Sequence, residues 1–233
     1  MNPILITGVG QRVGLHLART YVGRGRPVIG TYRSRRDSID ELEALGVELH
    51  QCDFYETAQV QALIDSVASS HEQLRAIIHN ASDWLPDKAD FPADEILRRM
   101  MAVHVSAPYQ INLGLADQLK AGAPSDIVHL GDYVSGRGSK KHIAYAASKA
   151  AQDNLTLSFA ALLAPEVKVN SIAPALVLFN EHDDAAYREK TLRKSLMQRE
   201  GGLDEMQHQV DFLLDSDYVT GRIIPMDGGR HLV

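Results

Sequence analysis

The chain has 233 residues, 45% of them hydrophobic, which suits one large α/β domain with a full core. A formal net charge of -6 speaks against a general nucleic-acid surface, and the single Cys52 excludes an internal disulfide. With no secretory leader pattern and no apolar run of roughly 18 residues, the expectation is a cytoplasmic protein with neither nucleic-acid nor membrane partner, and no metal is expected.

Taken in order, Pro3 to Thr7 is a short apolar run that meets the Gly-rich stretch Gly8 to Gly14. Leu15, Leu17, Ala18, Tyr21 and Val22 then recur at helical spacing, which predicts strand, turn and helix. A strand at Pro27 to Tyr32, a helix at Ile39 to Leu45, a strand at Val47 to Gln51 and a helix at Thr57 to Ser70 follow. Next come a buried strand at Leu74 to His79, two helical segments between Pro92 and Ala121, and a strand at Asp126 to Leu130. A long helix at Ala144 to Leu163, a strand at Val167 to Ile172, an irregular polar segment from Phe179 to Arg199, a helix at Leu203 to Leu214 and a strand at Arg222 to Pro225 complete the chain. Such alternation predicts one Rossmann-like, doubly wound α/β domain over 1–233. Its sheet should be mainly parallel, of about seven strands, flanked by helices, with the ligand at the carboxyl ends of the strands.

The first turn, Thr7-Gly8-Val9-Gly10-Gln11-Arg12-Val13-Gly14, lies between a strand and a helix, where glycine lets backbone approach phosphate and the helix start supplies N–H groups. The second strand ends in Tyr32, Arg33, Ser34 and Arg35, without the acidic residue that would bind adenosine ribose hydroxyls and repel a 2′-phosphate. Arginine pairs well with a phosphate dianion, so this end predicts NADPH and accounts for a basic cluster on an acidic chain. In the long helix, Tyr145 and Lys149 share a face. A nearby ammonium stabilises a phenolate and tunes proton transfer.

With Asp53 after the third strand, Asn80-Ala81 after the fourth, Pro174 after the sixth, and the terminal Val219-Thr220-Gly221 and Asp227-Gly228-Gly229, the chain resembles the short-chain dehydrogenase/reductase family along nearly its whole length. The resemblance implies that Lys149 binds the nicotinamide ribose and Tyr145 takes part in proton transfer. It implies a nucleotide held at Gly8, Gln11, Arg12 and Val13, at Tyr32, Arg33 and Ser34, and, at the adenine, by Asp53 and Phe54. Asn80, Ala81, Ser82 and Pro174 would complete that lining.

Two departures narrow the reading: Arg12 stands where most of the family has a third glycine, and Asp132 where most have a catalytic serine thirteen residues before the tyrosine. Both are similar to the pteridine reductase group. Ile78-His79-Asn80-Ala81-Ser82 with Trp84, Asp132-Tyr133, His142-Ile143-Ala144-Tyr145 and Leu178-Phe179-Asn180-Glu181-His182 resemble its bacterial dihydromonapterin-reducing branch. This implies reduction of 7,8-dihydromonapterin to its tetrahydro form with NADPH, and weaker reduction of dihydrofolate. Arg12, Ser82, Trp84, Asp132 and Tyr145 would meet the substrate, with Trp84 stacking on the ring; a pterin is flat with donors and acceptors along an edge, so it wants such a surface. Asp132 would repel a developing alkoxide but suits proton delivery to a ring nitrogen. His104 replaces an asparagine that helps hold a water connected to the lysine in the family; it either takes over that role or packs against a carbonyl.

The charged segment 179–200 matches the family's substrate lid in position. The resemblance further implies a homo-oligomer, with a tetramer through the long helices favoured. Two alternatives stand beside the pterin reading: a reductase of an oxoacyl or other carbonyl substrate, and a non-catalytic NADPH-sensing protein. Asp132 and Arg12 count against the first, and the retained Tyr145 and Lys149 against the second.

Overall fold

A computed structural model describes residues 1–233. Seven parallel strands form one sheet: β1 (Ile4–Ile6), β2 (Val28–Tyr32), β3 (Glu48–Gln51), β4 (Ala76–His79), β5 (Ser125–Leu130), β6 (Val167–Pro174) and β7 (Arg222–Met226). Their spatial order is β3-β2-β1-β4-β5-β6-β7, so the chain winds outward from β1 in one direction and then restarts at β4 in the other. The crevice between β1 and β4 is the switch point where such a sheet binds ligands. The single α/β domain and parallel sheet expected from the βα alternation are present.

Helices cover both faces because each carries one apolar stripe. On one face lie α1 (Arg12–Gly23), α2 (Asp37–Ala44) and α9 (Leu203–Asp215), which bury Leu17, Tyr21, Leu42, Val210 and Leu213 against Ile4, Ile6 and Ile78. On the other lie α3 (Thr57–Ser70), α5 (Ala107–Gly114), α6 (Ala116–Ala121) and α7 (Ile143–Leu163), which enclose Leu5, Ile77, Ile127 and Val169. Burying each such aliphatic side chain contributes about 1.5–3 kcal/mol. β1, β4 and β5 are buried along their whole length, so none shows the in–out alternation of a half-exposed strand, and the polar side chains they carry, Asp126, His79 and His129, are buried with them.

Three stretches differ from expectation. Between Pro92 and Ala121 the chain forms α4 (Ala93–Met101), a π-helical turn at Ala102–Ser106, then α5 and α6; Leu115, with φ -113 and ψ 14, breaks the last two apart. β6 runs on to Pro174 because β7 pairs with it as far as Met226. Within the polar segment expected to be irregular lies α8 (Ala185–Leu192), started by Asp184, whose carboxylate accepts the Tyr187 N–H at 2.7 Å.

Candidate active site

At the switch point, backbone and short side chains tie β1 to β4. The Asn80 amide donates to the carbonyls of Thr7 and Gly8, each at 2.9 Å, while the Thr7 hydroxyl accepts the N–H groups of Asn80 and Ala81. Gly8 has φ +74, and at Gly14 a β-carbon would run into the Gly8 carbonyl and the Asn80 amide, so both positions require glycine. The first turn of α1 has no side-chain cap, and Gln11, Arg12 and Val13 at its start line a cavity of about 320 Å³. Every cofactor position expected from the sequence lines this cavity except Lys149 and Pro174.

At its outer end the basic cluster divides. Arg35 turns back onto α2 to bind Asp40 and Glu43, whereas Arg33 and Arg36 face the cavity. Sequence reasoning missed two neighbours there, Tyr55 and Asp83. Asp83 accepts from Arg33 at 3.1 Å and from the Tyr55 hydroxyl at 2.5 Å. Burial alone would raise its pKa, but the bonds from Tyr55, the Trp84 N–H and Arg33 outweigh this and lower it. Arg33 is thus already partnered by an anion, with its remaining donors open.

The residues expected to carry proton transfer lie outside the lining of that cavity. Tyr145, on the first turn of α7, donates its hydroxyl to one Asp132 oxygen at 2.7 Å. The other Asp132 oxygen accepts the Val134 N–H at 2.8 Å, which fixes the carboxylate at the start of a short 3₁₀ turn. Burial and then the Asp132 charge raise the Tyr145 pKa well above that of an ordinary phenol, so the proton rests on tyrosine. Lys149, one turn further on and 2% exposed, donates to the Leu130 carbonyl at 2.7 Å and to Gln152 at 3.2 Å. Burial brings its pKa down to about 8 despite Asp132 and Asp153. Its ammonium is 5.9 Å from the centre of the Tyr145 ring.

Below the lysine runs a buried polar column that the sequence did not announce. Thr156 bonds the Gln152 carbonyl, His129 donates to Thr156 at 2.8 Å, Asn112 bridges His129 and His79, and the two imidazoles stack at 5.0 Å. Burial lowers the His79 pKa to about 4 and drives that of His129 well below normal, so the column adds no charge to the lysine's surroundings.

The expected substrate residues are placed less uniformly. Ser82 and Arg12 line the cavity; Trp84, Asp132 and Tyr145 do not. Trp84 is 58% exposed and already stacked on His142 at 4.1 Å, a partner the sequence reading had not assigned, so only one of its faces is free. Arg12 reaches across the cleft instead of along it, donating to the Asn180 side chain at 2.8 Å and the Leu178 carbonyl at 2.9 Å. In the charged segment 179–200, Asp183 accepts the Asn180 N–H and Asp184 caps α8.

A family model described as enoyl-(acyl carrier protein) reductase matches residues 8–231. A dihydromonapterin reductase of Escherichia coli (strain 536 / UPEC) is 53% identical over 232 residues, covering 99% of this chain and 97% of the relative. The chain belongs to the short-chain dehydrogenase/reductase family. Solved members of the family superpose closely. FolM alternative dihydrofolate reductase 1 from Brucella canis, complexed with NADP, has a TM-score of 0.88 and 26% identity, covering 100% of this chain and 94% of that one. A putative short-chain dehydrogenase/reductase from Burkholderia xenovorans has a TM-score of 0.85 and 26% identity, covering 100% and 99%. The resemblance drawn from the motifs therefore holds, and the chain is an oxidoreductase of this family.

Proposed function

We propose that the chain reduces 7,8-dihydromonapterin with NADPH and accepts 7,8-dihydrofolate less efficiently. The observation that carries this is the Asp132–Tyr145 pair, in which the tyrosine hydroxyl donates its proton to the carboxylate over 2.7 Å beside a buried lysine. Reducing the N5=C6 bond requires a proton at N5, and this pair is a donor suited to a basic ring nitrogen. A carboxylate in that place would oppose the negative oxygen that grows during reduction of a ketone or an acyl thioester, which weighs against the acyl reading.

NADPH, when bound, supplies the hydride. In this reading the α1 N-terminus faces the pyrophosphate, Asp53 and Phe54 meet the adenine, Asn80 and Ala81 flank the nucleotide, and Pro174 lies near its reactive end. Arg33 takes the 2′-phosphate and Lys149 holds the nicotinamide ribose. Ser82, Arg12 and the free face of Trp84 receive the pterin, and segment 179–200, tied to Arg12 through Leu178 and Asn180, closes over it. A cytoplasmic homotetramer is part of the same proposal; Tyr109, Leu113, Leu157 and Leu162 leave apolar surface on α5 and α7 for partner subunits.

Loss of reduced-nicotinamide absorbance, measured with dihydromonapterin, dihydrofolate, a ketone and an enoyl thioester in competition, tests the reading. The highest kcat/KM is expected for dihydromonapterin. Equal or faster dihydrofolate turnover would remove the side-chain preference, and turnover of neither pterin would remove the assignment.

A further inference from the structure

His104 lies inside the π-helical turn Ala102–Ser106, wholly shielded from solvent, and touches three parts of the site. Such turns insert an extra residue into a helix and are frequent where function needs it. One ring nitrogen, Nε2, lies 2.8 Å from the Ser82 hydroxyl; the other, Nδ1, lies 2.8 Å from the Ser148 hydroxyl; the ring meets Tyr145 edge-on at 5.4 Å. Burial and then the Lys149 charge keep the imidazole neutral, so one nitrogen donates and the other accepts.

The surrounding bonds decide which. The Ser148 hydroxyl already donates to the Tyr145 carbonyl at 2.7 Å, so toward His104 it accepts, which puts the ring proton on Nδ1. Nε2 is then a bare acceptor, and the Ser82 hydroxyl donates into it. The competing acceptor for that hydroxyl, the Asp83 carbonyl, is 3.4 Å away and loses to a bond of 2.8 Å.

We propose that His104 is a positioning residue that commits the Ser82 proton inward, so that Ser82 presents only lone pairs to a ligand. Ser82 is exposed and lines the cavity, and so selects a ligand edge that donates, such as a ring N–H or amino group, over one that accepts. This selection of a pterin edge rests on the function proposed above; the polarity of the His104–Ser82 contact does not. A ligand acceptor facing the serine would oppose two acceptors once the bound ligand shuts out water, at a cost on the order of tenfold in affinity.

Nitrogen NMR of histidine-labelled protein reads the tautomer directly. The expected spectrum has the His104 proton on Nδ1 and a hydrogen-bonded Nε2 that shifts to a free acceptor in Ser82→Ala; a proton on Nε2 overturns the proposal. His104→Asn, whose amide can donate to Ser82 and reverse its polarity, should raise KM for dihydromonapterin on the order of tenfold while lowering kcat less. In a Ser82→Ala background the same change should have little further effect on KM, and additive effects would overturn the coupling. If His104→Asn does not fold, the native and Ser82→Ala spectra still decide. If no pterin is turned over, the function proposed above falls, and the spectrum still decides the polarity.

Discussion

At the end of the cleft proposed for the nucleotide the shaping contacts run largely through backbone: Asn80 onto the Thr7 and Gly8 carbonyls, Gly8 at positive φ, uncapped N–H groups at the start of α1. At the end proposed for the reaction they run through side chains: Tyr145 onto Asp132, Lys149 onto Gln152, His104 between two serines. The difference is one of substitution tolerance. A backbone-built cradle survives most side-chain changes so long as its glycines remain, whereas a side-chain network changes its chemistry with a single residue. Substitutions at the reaction end should therefore cost rate, and those at the nucleotide end should mainly redistribute affinity.

The largest effect expected is at the proton pair. Tyr145→Phe and Asp132→Asn should each lower kcat by about 10²–10⁴-fold while changing NADPH affinity far less, as read by steady-state kinetics beside cofactor titration. Near-native turnover in both variants would transfer proton delivery to water and undo the contrast between the two ends. In the native enzyme, kcat/KM should fall as pH rises past about 8, because burial has lowered the Lys149 pKa and its ammonium is lost there. The sign is fixed: the charged form exists below that pH, not above it.

What the sequence made legible follows the same division. The strand–turn–helix at Gly8–Gly14, the order of the βα units and the Tyr145/Lys149 pair are local patterns, and they survived folding with boundaries moved by a residue or two. The Asp83–Arg33–Tyr55 cluster and the His79–Asn112–His129 column join residues from different elements, and no spacing along the chain encodes such meetings. α8 was partly readable, since Asp184 followed by Ala185-Ala186 is a capping signal, but the surrounding charge hid it. The stacking of Trp84 on His142 depends on the loop after β4 returning to the start of α7, where Asp87 accepts the Ile143 N–H at 2.8 Å.

An intermediate effect is expected at Arg33. Arg33→Ala should reduce the preference for NADPH over NADH by about 1.5–3 kcal/mol, the worth of a charge-assisted contact, measured as the ratio of kcat/KM values. The partner found in the structure sharpens this. Asp83 competes with a phosphate for the same guanidinium, so Asp83→Asn should strengthen NADPH binding in the native background and do little in Arg33→Ala. An unchanged cofactor preference in Arg33→Ala would assign discrimination to another group at that end, with Arg36 the nearest free cation lining the cavity.

The smallest effect joins the two ends. Arg12 holds φ +52, a left-handed conformation that costs a non-glycine residue about 1–2 kcal/mol, and its side chain uses that geometry to reach Leu178 and Asn180. Arg12→Gly and Arg12→Ala both remove the tie, but only glycine relieves the backbone. Glycine also loses more conformational freedom on folding, roughly 0.5–1 kcal/mol, so its net advantage over alanine in denaturant unfolding should be about 1 kcal/mol or less. Both variants should raise KM for the pterin and speed amide exchange in 179–200 relative to the native enzyme. If exchange there is unchanged, Arg12 does not restrain the segment; if alanine is the more stable variant, the left-handed turn carries no strain that glycine can remove.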